Sequence, residues 1–300
     1  MATLETTTGD LEIPAQQMQA WTSDIANGSS VAALSAAVPM VFGPGEAFTF
    51  DIGEAELVAE SGDKAGSTVV PTKQIIAQHK FQKTVRMSQE VLWADEDGRL
   101  VIVQQILAKI QPALSRALDY GVYHGINPNT GAPAGSIPTS LSDTTNVITY
   151  GGNKPYTYLD AADALVLADG AIPSDFALSP ALAAYFAALR GTNSEQKMYP
   201  EFRLSTEVSN LDGHRASVSK TVSAVGVASP ATGVLGFVGD FSAIQWGIQR
   251  NIGLELIEYG DPDGGGDLKR KNQVAFRAEV VYGWGIADLD AFAVIESAGS

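Results

Sequence analysis

The chain of 300 residues contains no cysteine. That excludes disulfides, thiolate metal sites and cysteine nucleophiles, and leaves stability to packing and assembly. Charge is also scarce: Asp, Glu, Lys and Arg make up 18% of the chain, while Gly, Ala, Ser and Thr are abundant. Such a surface is less like that of a freely dissolved monomer than of a protein partly covered by neighbours. Positive charge is scarcer still, with 19 Lys and Arg against 34 Asp and Glu for a net charge of −15. No basic stripe exists to neutralise phosphates, which argues against holding nucleic acid by counterion release. No apolar run approaches membrane-spanning length, and Met1-Ala2-Thr3-Leu4-Glu5 has neither the basic nor the apolar region of a secretory signal. The expectation is a protein neither exported by a signal peptide nor inserted in a membrane.

Catalytic signatures are missing as well. There is no Gly-x-Ser-x-Gly elbow and no phosphate-binding glycine loop, and Gly283-Trp284-Gly285 lacks the third glycine of a dinucleotide fingerprint. The histidines, His79, His124 and His214, read as lying in a strand, after a helix and in a loop, with no spacing that pairs two of them on one element. Asp261-Pro262-Asp263-Gly264 resembles the opening of a calcium loop, but Pro262 and the glycines replace the later ligands, and Asn272 stands where a bidentate Glu is needed. A hairpin turn explains it better. Asp95-Glu96-Asp97 reads as acidic residues favouring a helix N-terminus. Trp21, Trp93, Trp246 and Trp284 are dispersed, which suits core and interface anchoring rather than a stacking platform. No catalytic, cofactor or metal residue is assigned.

What the chain does contain is architecture. With 45% hydrophobic residues it can bury two cores, so two lobes are expected. Residues 1–44 read as an N-terminal arm with a short helical stretch around Pro14–Ala26; Leu11, Ile13, Trp21 and Ile25 cannot close a core alone, so the arm must lie on something else. From Gly45 the pattern alternates through Phe48, Phe50 and Ile52. After the glycine-bounded Glu60–Gly66 it alternates again, with Ala77, His79, Phe81, Val85 and Met87 on one face. Residues 45–84 thus form an extended antiparallel hairpin, marginal in water unless it finds another surface.

A long helix follows from Asp97 to about Tyr123, with Leu100, Val103, Leu107, Ile110, Leu114 and Ala117 at spacings of three and four. Its length would be roughly 40 Å, with a kink or break expected at Pro112. A second lobe opens with a helix over Thr157–Asp169, then another between Ser179-Pro180 and Gly191, and strands are expected at Arg215–Val222 and Phe237–Gln249. The chain returns for a hairpin, Ile252–Tyr259 and Asn272–Gly283, whose second strand alternates: Val274, Phe276, Ala278, Val280 and Tyr282 should cover the long helix. A last strand is expected over Ala291–Ile295.

The ordered series Glu60-Ser-Gly62, Lys80-Phe-Gln-Lys-Thr-Val-Arg-Met-Ser88-Gln-Glu90-Val-Leu92, Ala117-Leu-Asp119-Tyr-Gly-Val-Tyr-His-Gly125, Leu211-Asp-Gly213, Gly239-Asp240-Phe241-Ser242 and Arg277…Asp288…Ala291-Phe292 resembles major capsid proteins of tailed bacteriophages, with the Hong Kong 97-like fold. The resemblance implies an α+β subunit with an N-terminal arm (1–44), an extended loop (45–84), a peripheral domain holding the long helix and a sheet (85–154 and 251–284) and an axial domain (155–250 and 285–300). It implies hexamers and pentamers in an icosahedral head around double-stranded DNA that is not specifically bound. It also implies assembly in the bacterial host cytoplasm with a scaffolding protein, a portal and a decoration protein as partners. Only some forty residues precede the extended loop, so a separate scaffold or scaffold-free assembly is expected. Some relatives join Lys to Asn between subunits, for which Lys64 and Asn272 are the conceivable pair. An encapsulin-like shell protein shares the fold and is the alternative; a two-lobed hydrolase is a remoter one.

Overall fold

The computed structural model describes residues 28–51, 57, 66, 70–90, 98–152, 154–191 and 195–298. The expected helix at Pro14–Ala26, the tip Glu60–Gly66 except for Gly66 itself, Lys64 included, and Asp95–Asp97 lie outside them. Two sheets organise the rest. The first is antiparallel, in the order β1 (Gly45–Asp51), β2 (Val70–Ser88), β9 (Gln273–Ile286), β8 (Ile244–Ile257). The second has six strands in the order β3 (Val147–Tyr150), β10 (Phe292–Ser297), β7 (Val234–Gly239), β4 (Asp175–Leu178), β6 (His214–Val218), β5 (Ser209–Leu211). The helices are α1 (Ser30–Leu34), α2 (Gly98–His124), α3 (Pro155–Ala168) and α4 (Pro180–Ala188). Among the described residues no helix is long and apolar enough to cross a membrane.

The long helix is where its periodicity puts it, and it runs through Pro112 without a break. Its buried stripe, Ile110, Leu114, Leu118 and Val122, joins Val280, Tyr282 and Trp284 of β9 and Phe237 of β7 in one core. Tyr282 fixes the contact by donating its hydroxyl to the Leu114 carbonyl at 3.2 Å. Gly121 is the point of closest approach, because a Cβ there would lie 2.7 Å from the Trp284 ring. That indole is itself packed: His79 lies tilted against it with centroids 4.1 Å apart, and Phe81 stacks on it at 6.2 Å. A second core gathers α3, α4 and the other face of the six-stranded sheet, with Leu159, Phe176, Leu182, Phe186 and Ile295. Ser179 caps α4 by accepting from the Leu182 amide, with Pro180 at the first position as expected, but the helix stops at Ala188 rather than reaching Gly191.

Several expectations are corrected. The residues expected as one strand, Phe237–Gln249, belong to two strands in different sheets: Asp240 accepts from the Ser242 amide, a short helical turn over Phe241–Ala243 redirects the chain, and β8 begins at Ile244. The expected strand Arg215–Val222 ends at Val218, where the turn-forming Ser219 and Thr221 take over. Both strands of the return hairpin run farther than expected at the ends away from the loop: β8 begins at Ile244 rather than Ile252, and β9 ends at Ile286 rather than Gly283. β9 is not a one-faced strand; all but Gln273, Arg277 and Gly285 of its residues are buried, including Glu279, which Lys80 meets at 2.6 Å. β4, Asp-Phe-Ala-Leu, is buried throughout. It had no alternation to announce it, since a strand covered on both faces has no polar side.

Candidate assembly surface

The hairpin expected over residues 45–84 is built asymmetrically. β1 pairs with β2 only from Gly45↔Ile76 to Asp51↔Val70. From Ala77 to Ser88, β2 pairs instead with β9, from Trp284 to Gln273. One strand of 19 residues, roughly 60 Å long, therefore serves as an inner strand of the subunit's sheet and as half of a ribbon leaving it. At the foot of the ribbon three large apolar residues are uncovered: Val38, Phe42 and above all Val41, 90% exposed. The chain there is held against β8, with the Val38 amide donating to the Trp246 carbonyl at 2.8 Å. These side chains thus stay outward in a fixed place.

At the other end of β2, Arg86 closes the β8–β9 loop. Its guanidinium meets both carboxylates of the Asp261-Pro-Asp263 turn and donates to the Gly266 carbonyl at 2.9 Å and Gln273 Oε1 at 3.2 Å. The hydrogen bond from Arg86 holds the Asp263 carboxyl below its ordinary range. The two carboxylates that resembled a calcium loop are thus turned onto a cation of the same chain, and Arg277 adds a bond to the Pro262 carbonyl at 2.7 Å. Asn272, the conceivable cross-link partner, ends the loop in a left-handed conformation, φ 53°.

A buried carboxylate fastens the chain that precedes the ribbon. Asp119, on the inner face of α2, is fully buried and accepts from Ser29 Oγ, the amides of Ser30 (3.0 Å) and Val31 (3.1 Å), Ser30 Oγ (3.0 Å) and Thr221 Oγ1 (2.5 Å). Burial pushes its pKa up, and these donors oppose the shift. At the far end of α1, Arg215 Nη2 donates to the carbonyls of Leu34 (3.1 Å) and Ala33 (3.3 Å). An acid at the N-terminus and a base at the C-terminus suit a helix of only five residues. Gly28 enters so close to α2 that a Cβ would sit 2.9 Å from that of Ser115. Sequence reasoning passed over Asp119, although a carboxylate on the apolar stripe of a helix must have buried donors somewhere.

The three histidines have separate surroundings. His79 is buried against Trp284, and burial lowers its pKa. His124 ends α2, with Nε2 facing the carbonyls of Val222 (3.0 Å) and Thr221 (3.2 Å); burial lowers its pKa to about 4. His214 opens β6 rather than lying in a loop; it stacks on Phe176 at 4.4 Å and stands 3.8 Å from Asp163. Among the described residues no group of three or more His, Asp or Glu gathers as a metal site. Trp246 and Trp284 sit in the first core, as anchors.

These features can be set beside known proteins. A family model described as phage capsid protein matches residues 71–295. Among solved structures, one from Mycobacterium phage Ogopogo is 42% identical, with a TM-score of 0.78 over 90% of this chain and 92% of its own. One from Gordonia phage Cozz is 28% identical, with a TM-score of 0.74 over 91% of this chain and 87% of its own. The capsid of an empty "GTA" particle, at 15% identity and a TM-score of 0.57 over 91% and 90%, shares the fold. No curated protein matches the chain. The α+β architecture is thus of the Hong Kong 97-like type, and the phage reading is favoured over the encapsulin-like shell and the hydrolase. A chain that matches this family model over residues 71–295 of its 300 belongs to the phage capsid protein family.

Proposed function

We propose that the subunit closes into hexamers and pentamers of an icosahedral head around double-stranded DNA, with no catalytic residue of its own. The four-stranded sheet with α2 corresponds to a peripheral domain and the six-stranded sheet with α3 and α4 to an axial domain. Residues 1–44 form the arm and 45–84 the extended loop. The observation that carries the reading is the ribbon: among the described strands β1 pairs with β2, and a two-stranded ribbon is marginal in water without a second surface. In a closed shell that surface is a neighbouring subunit, and each contact recurs at every equivalent interface. The acidic chain keeps the packaged DNA from adhering to its container. A scaffolding protein, a portal and a decoration protein are the partners, assembly takes place in the host cytoplasm, and the product is part of the virion.

The test replaces residues 58–71 by a short Gly-Ser turn. We expect an unchanged thermal melt and loss of rings or shells by electron microscopy and sedimentation. Normal particles would refute the role of the ribbon, and a collapsed melt would place the loop in the subunit's own core.

A further inference from the structure

The six-stranded sheet carries charge of opposite sign at its two ends. β4 and β6 run parallel, from Asp175 and Arg215 to Leu178 and Val218. β7 runs back to meet Asp175 at Gly239, where β10 begins beside it at Phe292. At the end where β4 and β6 finish lies a cleft of about 410 Å³, whose wall includes Arg116, Pro180, Leu204 and Lys220. Its floor is held in place: the Val218 amide donates to the Ser205 carbonyl at 2.9 Å, and Ser217 Oγ donates to that of Thr206 at 2.8 Å. Among the described residues neither Arg116 nor Lys220 forms a salt bridge, in a chain where acids outnumber Lys and Arg 34 to 19. Leu204 beside them is exposed.

The opposite end gathers carboxylates. Asn146 Nδ2 donates to Asp169 Oδ2 at 2.8 Å and to the Asp290 carbonyl at 3.2 Å, and Asp288 Oδ1 accepts from the Asp290 amide at 3.0 Å. The Asp240 amide donates to the neighbouring Ala291 carbonyl at 3.2 Å. Among the described residues none of these four acids is in a salt bridge; Arg215, at the same end, is spent on Asp175 at 3.4 Å and on the carbonyls of α1. Leu167 and Ile172, before and after Asp169 in the chain, are exposed. Lying at opposite ends of the same strands, cleft and acidic corner cannot meet within one subunit, and a two-fold pairing of copies through either end would set like charge against like. A head-to-tail contact joins unlike ends and, repeated about an axis, closes a ring. We propose that the cleft receives the acidic corner of a second copy, with Asp169, Asp288 and Asp290 facing Arg116 and Lys220 and an apolar residue of that corner against Leu204 and Pro180. This contact rests on the shell reading and names what joins neighbours within each ring.

The test reverses charge at each end. Arg116→Glu/Lys220→Glu makes the cleft acidic, and Asp169→Lys/Asp288→Lys/Asp290→Lys makes the corner basic. Each variant then carries one sign at both ends, so at low salt each alone should self-associate at least tenfold more weakly than the parent in sedimentation velocity. Mixing the two should restore association, because each offers the other an unlike end. Undiminished association of either variant alone, or a mixture no stronger than its components, would overturn the proposal. If the parent stays monomeric at every concentration, the shell reading fails and this contact with it; if the parent and both variants form the same rings, only the contact fails. Should a variant fail to melt cooperatively, the parent decides through a carbodiimide, which joins an amine to a carboxylate already touching it. In a mixture of isotope-labelled and unlabelled chains, we expect an amide between Lys220 of one copy and Asp169, Asp288 or Asp290 of another. Lys220 joined only within its own chain, or not at all, would overturn the contact.

Discussion

Three residues of α2 carry consequences that their types alone would not suggest. Glycine inside a helix ordinarily costs about 1 kcal/mol relative to alanine, so Gly121→Ala should stabilise a free helix. Here the added methyl meets the Trp284 ring at 2.7 Å, and overpacking of that kind costs about 1–3 kcal/mol. We expect net destabilisation by about 1 kcal/mol in urea unfolding, and more for Gly121→Val. Asp119→Ala should be worse, at about 3–5 kcal/mol, because it strands buried donors from Ser29, Ser30, Val31 and Thr221; a calorimetric melt and proteolysis ahead of Gly28 would report it. His124 provides the pH dependence. Its folded pKa of about 4 lies below the usual 6.5, so its contribution is fully present above pH 6.5 and is lost as pH falls toward 4. At pH 5 the loss is about 2 kcal/mol. Asp119 runs the other way: its raised pKa favours the folded state as pH falls. In His124→Gln, the fall in stability between pH 7 and 5 should therefore shrink or reverse.

Among the elements, those announced by a sequence period or by boundary residues were legible and those without such signals were not. α2, β1 and the capped α4 declared themselves through period and boundary residues. β4 did not, because it is covered on both sides; β9 was legible as a strand but not as one covered on both faces, because its polar members are spent on internal partners: Glu279 on Lys80, Arg277 on Thr84 and the Pro262 carbonyl. The switch of β2 from β1 to β9 at Ile76/Ala77 is also invisible to alternation, since the pleat continues unchanged while the partner is replaced. Of the assembly surface, the ribbon was readable and the fastening of α1 was not, because Asp119 lies 89 residues from Ser30. Phe276 tests the core side of β9. It is 2% exposed, opposite Val85 and Leu256, and Phe276→Asp should cost at least about 3–5 kcal/mol. A soluble mutant with a native cooperative melt would contradict that.

For the whole molecule, β2 has a mechanical meaning. A neighbour that grips the ribbon pulls on a strand whose other twelve residues, Ala77–Ser88, are paired antiparallel to β9. A pull along that strand loads its cross-strand hydrogen bonds side by side, in shear, whereas a pull across it would open them one after another. Force reaching the subunit through its ribbon therefore meets its strongest direction, and Arg86 anchors the strand's far end to the β8–β9 loop. In the proposed shell, pressure from packed DNA would be borne as tension along β2 without unfastening the sheet. Pulled at constant speed through position 70, the subunit should yield at higher force than when β8 is peeled from the opposite edge.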